Sequence, residues 1–253
     1  MNGAILSARH SFMPNLLGYC GPDANQVILE AITNDKPNSE LASVLQGFQG
    51  AYPYLRFLSQ YNKETNPFAY EVTEAYWIGN SLLEQVPPDA FYQHLRKRLT
   101  SKFSPEHLKS FFNSSPYASF PHHSLHVFNA FSTMGTVPDS FASGKGPDGQ
   151  VGQLMDKCRI SWARVVDSSQ EDLLVEYEPV TKLDGQLHLG QTVKNTLIRQ
   201  VNGTNLMPNV KPGDWVSAHW GFACTVLSTE QKASLKKFTL SAMTLANTVP
   251  VPE

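Results

Sequence analysis

No CxxC pair occurs in this chain, and its three cysteines, Cys20, Cys158 and Cys224, leave an odd count. That excludes a disulfide scaffold and fits free thiols in a reducing, cytoplasmic compartment. No apolar run approaches the ~20 residues that a membrane-spanning helix needs. Met1–Cys20 lacks a charged stretch followed by an apolar one, so no signal peptide is expected and no membrane association is read. A basic stripe is missing too. The densest patch, His94-Leu95-Arg96-Lys97-Arg98, has no interleaved aromatic residue and reads as a solvated helix face. With a formal charge of −2, this argues against a nucleic-acid partner. There is no Gly-rich phosphate loop, since Gly144-x-Gly146 lacks the strand-to-helix context. There is also no GxSxG and no assignable Ser/His/Asp set. Asn202-Gly203-Thr204 matches a glycosylation sequon but is more simply a turn.

What is present is apolar mass: 41% hydrophobic residues in 253, with 14 Phe, 9 Tyr and 4 Trp. That is enough for a sizeable core in one or two domains. Residues 1–22 read as an irregular lead-in, with Gly18-Tyr19-Cys20-Gly21-Pro22 as turn material. Helical periodicity follows from Asp23, from Ser39, over 54–61, over 68–86 and from Asp89 to Leu99. It continues over 104–113, opened by Ser104-Pro105-Glu106, and over 122–132. Residues 1–142 are therefore expected to form an all-helical bundle. Residues 143–154 are rich in Gly and Pro and are expected to be a linker.

From residue 157 the period switches to two. Strands are expected at 158–166, 171–178, 180–183, 186–189, 194–200, 214–220 and 222–227, with turns at Asp184-Gly185 and Asn202-Gly203. Ser228 and Gln231 form a possible capping box for a last helix, 229–245, with Leu235, Phe238 and Met243 expected to face the barrel. The expected fold class is α+β: an N-terminal helical bundle, then over 155–253 a small OB-like antiparallel barrel with a C-terminal helix.

The most distinctive stretch is Gly213-Asp214-Trp215-Val216-Ser217-Ala218-His219-Trp220-Gly221-Phe222-Ala223. Alternation puts Trp215, Ser217 and His219 on one face. Gly221 breaks the run, as at a bulge or a close backbone approach. This pattern, G-D-W-V-x-x-H-x-G-F-A, resembles the end of the HypC/HupF-type hydrogenase maturation chaperones. Cys158-Arg159-Ile160-Ser161-Trp162-Ala163-Arg164-Val165-Val166 resembles the opening strand of the same family. The resemblance covers roughly residues 155–245. It implies a hydrogenase maturation role, with iron bound by Cys158 and His219. It also implies hydrogenase maturation proteins or the hydrogenase large subunit as partners.

Read on their own chemistry, a thiolate and an imidazole suit iron or zinc. Cys158 can equally be a small buried hydrophobe and His219 a satisfied core residue. Other candidates lie in the helical region. His122, His123 and His126 have metal-ligand spacing on a helix, although no Glu sits between them as in HExxH. Glu71 and Glu74 lie within one turn of each other and could supply carboxylates from a neighbouring helix. Cys20, just before a helix start, could be reactive or a ligand. The alternative function is therefore a metal-dependent enzyme, using iron or zinc, housed in the helical domain with the barrel as a docking module. All these clusters could also be structural.

Overall fold

The computed structural model describes residues 1–99, 119–130 and 148–248. The chain is α+β, with helices first, then a mixed sheet and a C-terminal helix. The helix expected at 104–113 lies outside the described residues, as do the first part of the expected linker and the end of 122–132.

The lead-in is not irregular. Gly3–Leu16 is a helix (α1), capped by Asn2, whose Oδ1 accepts from Ala4 N at 2.8 Å. Nearly all of it is buried, polar residues included: Ser7, His10, Ser11 and Asn15. A helix buried on every side has no apolar stripe against a polar one, so periodicity could not reveal it. Several of its polar groups are matched instead, Asn15 Oδ1 and Arg9 Nε being exceptions. Trp77 Nε1 donates to Ser7 Oγ at 3.1 Å, and His10 makes two hydrogen bonds at its ring nitrogens.

Around α1 pack α2 (Asn25–Thr33), α3 (Leu41–Gln46) and α5 (Tyr70–Trp77), with α4 (Tyr52–Tyr61) against α5. Short α6 (Leu82–Gln85) and α7 (Pro88–Leu99) follow. His123–Leu125 begins α8, which runs into a π-helical stretch, His126–Ala130. Asp148–Cys158 forms α9. The chain is thus helical where composition suggested the second half of a linker, and Cys158 ends a helix instead of opening a strand.

Nine strands follow: β1 (Ser161–Ser168), β2 (Asp172–Tyr177), β3 (Val180–Leu183), β4 (Gln186–Leu189), β5 (Val193–Ile198), β6 (Gln200–Val201), β7 (Thr204–Asn205), β8 (Trp215–His219) and β9 (Phe222–Leu227). Five pair in the order β1-β2-β5-β9-β8, with β8 returning to β1. Four of these five pairings are antiparallel; β5 with β9 is parallel, through Ile198 and Phe222, so the sheet is mixed. β3-β4 and β6-β7 are separate hairpins, turned at Asp184-Gly185 and Asn202-Gly203, where all four residues have positive φ.

The last helix, α10 (Thr229–Thr248), opens on the expected reciprocal cap. Gln231 N donates to Ser228 Oγ at 3.1 Å, and Ser228 N donates to Gln231 Oε1 at 2.9 Å. Leu235, Phe238 and Met243 are all buried. Phe238 meets Phe120 edge-on and lies beside the His122 ring, while the helix also packs on β1, β4 and β9, so α10 lies between the helical half and the sheet.

Two apolar clusters result. One lies inside the five-strand ring and includes Val165, Val175, Val216 and Ala218. The other is continuous from Ile5 and Phe12 through Tyr76 and Trp77 to Trp162, Phe222 and Phe238. Strand alternation explains the split: Val216 and Ala218 point into the ring, while Ser217 and His219 point the other way, to α1.

Candidate metal centre

Three residues from three element ends meet against α1. His123 is the first residue of α8, Cys158 the last of α9 and His219 the last of β8. One ligand atom from each, a ring nitrogen or the sulfur, lies within 4.8 Å of the other two. His123 and His219 are 6% and 3% exposed, and the Cys158 thiol is enclosed with them although the residue as a whole is half-buried.

Hydrogen bonding fixes which nitrogens are available. His219 Nδ1 lies 2.5 Å from the His10 carbonyl, which can only accept, so Nδ1 carries the proton. His219 Nε2 is then a buried lone pair with no well-formed hydrogen bond, although the Cys158 carbonyl lies near enough to favour a proton on the ring. Around His123 three contacts compete for protons: Tyr76 hydroxyl to Gly50 O at 2.8 Å, Tyr76 hydroxyl to His123 Nδ1 at 3.0 Å, and His123 Nε2 to Cys158 O at 2.9 Å. Each contact needs one proton. A neutral imidazole and a phenol supply two. A cation on Nε2 would replace the hydrogen bond to Cys158 O, whose carbonyl would have to turn aside; Nδ1–H would then donate to Tyr76, and Tyr76 to Gly50. Metal-bound histidines are commonly held in this way, through the ring nitrogen that does not take the metal.

The protonation states agree with that use. Burial lowers His123 well below its ordinary 6.5, helped by nearby His219 and His126, and lowers His219 to about 4. Both rings are neutral at neutral pH, as ligation requires. The Cys158 thiol is raised, first by burial and then by Cys20, against a hydrogen bond from Trp220. A metal entering at neutral pH would therefore displace a thiol proton.

Trp220 and Gly221 form the two-residue turn between β8 and β9, with φ of 52° and 75°. Paired positive φ is what a tight hairpin turn of this hand demands. Glycine meets that freely. A tryptophan there is an uncommon, strained choice, of order 1–3 kcal/mol. Open space surrounds Gly221, so the turn and not a close approach explains this glycine. The bulge lies later: Ser217 pairs with Thr225 and Ala218 with Ala223, leaving Cys224 as the extra residue. Trp220 N donates to Lys157 O at 2.9 Å, and its ring stacks on Tyr19 at 4.4 Å between centroids. The strained residue thus ties the turn to the end of α9 and places an indole at the Cys158 thiol.

The remaining candidates are placed elsewhere. His122 caps α8, its Nδ1 accepting from Ser124 N at 3.2 Å. His126 packs edge-on to Tyr54 and beside Gly50, and supplies no atom to the cluster. Glu74 is held by Tyr70, Asn80 and Gln231 at 2.7–3.1 Å, and Glu71 is exposed; neither reaches the histidines. Cys224 is fully buried and its thiol meets Phe222 O at 3.4 Å. Cys20 lies in the loop after α1, near Cys158 and Tyr76 but outside the 4.8 Å cluster. The supports that spacing could not reveal are Tyr76, the His10 carbonyl and Trp220. Only Gly221 hinted at one of them, by marking the turn.

A family of unknown function, DUF6390, matches residues 1–253. The chain belongs to that family. This corrects the resemblance to the HypC/HupF-type chaperones: one family spans both the helical half and the stretch that carried the likeness. The motif at Cys158 also differs in kind, since that residue closes α9 and β1 begins only at Ser161. No curated protein and no solved structure matches the chain. Among the described residues, no helix is long and apolar enough to cross a membrane.

Proposed function

We propose that this protein is metal-dependent and binds one zinc or ferrous ion through His123 Nε2, His219 Nε2 and Cys158 Sγ. The single observation that carries the reading is the buried His219 Nε2, without a well-formed hydrogen bond, facing a thiol and a second imidazole that is itself one proton short. Two borderline nitrogens and one soft sulfur form a donor set suited to either ion. Three protein ligands leave a fourth position, the arrangement typical of catalytic rather than closed structural sites. Bound there, the ion would supply Lewis acidity, polarising a carbonyl or lowering the pKa of a water.

The chain's own residues do the rest in this reading. Tyr76 and the His10 carbonyl hold the two rings in the ligating tautomer, and Trp220 covers the thiol. Unlike the arrangement expected from spacing, the site belongs to neither half alone. We also read the ring β1-β2-β5-β9-β8 as a small OB-type barrel, which its strand order and the parallel β5-β9 bridge support.

Metal analysis of protein purified without air tests the proposal. About one equivalent of zinc or iron is expected, lost in His219→Ala and Cys158→Ala but kept in His126→Ala. Wild-type protein without metal that also takes up none from solution would end the reading.

A further inference from the structure

One further thiol, Cys20, lies near Cys158, outside the three-residue cluster. Tyr19 is stacked on Trp220, whose backbone is tied to Lys157 next to Cys158. That stacking brings the following residue, Cys20, to the same side of the site. The loop is well anchored at its backbone. Tyr19 N and Cys20 N both donate to Pro14 O, at 2.8 and 3.2 Å. Asn15 Nδ2 donates to Cys20 O and to Pro22 O, at 2.9 and 2.6 Å. The Cys20 thiol is hydrogen-bonded within its own loop, to the backbone of Gly21. Gly18 and Gly21, both at positive φ, bracket the turn. The second pointer to a ligand is independent of the loop: within the cluster, His219 Nε2 is almost wholly buried and has no well-formed hydrogen bond.

We infer that Cys20 is the fourth ligand of the resting site. The loop delivers its thiolate to the position that His123, Cys158 and His219 leave vacant, giving a Cys2His2 set. This rests on the metal reading above and adds to it a coordination number and an exchangeable arm. An incoming donor molecule reaches the ion by displacing Cys20, the one ligand carried on an exposed residue.

Cobalt(II) added to metal-free, full-length protein without air tests this through its thiolate-to-cobalt charge-transfer absorption. Wild type should show the intensity of two thiolates. Cys20→Ala should still bind one equivalent, with that absorption cut to roughly half, since one sulfur of two is gone. Cys224→Ala should match wild type. A second measurement needs no variant: zinc should protect Cys20 from alkylation, and the metal-free protein should be labelled there. Cobalt bound with an unchanged spectrum in Cys20→Ala, or Cys20 labelled equally with and without zinc, overturns the inference alone. No cobalt taken up by wild type overturns the metal site and the inference together.

Discussion

Tyr76 illustrates how one hydroxyl can decide a site it does not enter. Its phenol is fully buried, and burial raises its pKa well above 10, so it remains a proton donor at any physiological pH. With a cation on His123 Nε2 it would donate to Gly50 O and accept from His123 Nδ1. Tyr76→Phe keeps the ring, and with it the packing against Tyr54 and Trp77, but removes the acceptor. The His123 ring then loses its tautomer preference. Metal affinity is expected to fall by about 10- to 100-fold, the usual effect of losing such an outer partner. A chelator-competition titration checks it. An unchanged affinity in a folded Tyr76→Phe protein would mean that His123 is oriented by packing alone. Trp220 calls for the opposite kind of test. Trp220→Gly relieves the left-handed backbone and opens the indole cover, so the Cys158 thiol should react faster with an alkylating reagent in the metal-free protein. Thermal stability should change little, because relieved strain and the lost Tyr19 stacking are each of order 1 kcal/mol. Unchanged Cys158 reactivity would show that the indole shields nothing.

Among the elements, most strands and turns were legible because their faces differ: Val216 and Ala218 against Ser217 and His219, or Asp184-Gly185 between two short runs. The start of α10 was legible for a different reason, since its cap is written in two residues. Ser228→Ala removes one arm of that reciprocal cap and is expected to destabilise the fold by about 1 kcal/mol, read as a lower midpoint in urea with an unchanged slope. A midpoint equal to wild type would mean that neighbouring contacts, such as Gln231 to Glu74, already hold the helix start. α1 was hidden because contrast is what periodicity detects, and a helix enclosed on all sides has none. The same limit governs the site. The two-residue alternation put His219 on a face shared with Ser217, and a lone cysteine drew attention to Cys158. His123 was one of three histidines at similar spacing, and nothing local separates it from His122 and His126. Only the tertiary contact with the end of α9 does so.

For the molecule as a whole, the three cluster residues come from distant parts of the chain, His123, Cys158 and His219, yet one apolar cluster includes residues of both the helical half and the sheet. Helical half and sheet should therefore unfold together, and a metal bound only by the folded state should raise that single transition by mass action, about 2.7 kcal/mol at a hundredfold excess over Kd. Acid should act on the metal-free protein in the other direction. Burial holds His10 and His122 at about 3 and His219 at about 4, against 6.5 for a free imidazole. Between pH 6.5 and 4 the unfolded chain thus binds protons that the folded chain refuses. Stability follows the unfolded state's excess of bound protons, so it rises with pH across this window and drains away on acidification. Each histidine contributes up to about 1.4 kcal/mol per pH unit, and with His94 and His123 also lowered by burial the group together withdraws several kcal/mol between pH 7 and pH 5. That is a large part of the 5–15 kcal/mol by which a typical domain is stable. Urea unfolding followed by tryptophan fluorescence at a series of pH values reads this directly. Replacing His122, whose role is a helix cap, by Asn should flatten the slope by about a fifth, since Asn can cap without titrating and His10, His94, His123 and His219 remain depressed. Equal stability at pH 7 and pH 5 would mean that these imidazoles find a proton while still folded, and the buried Nε2 of His219 would then no longer argue for a metal.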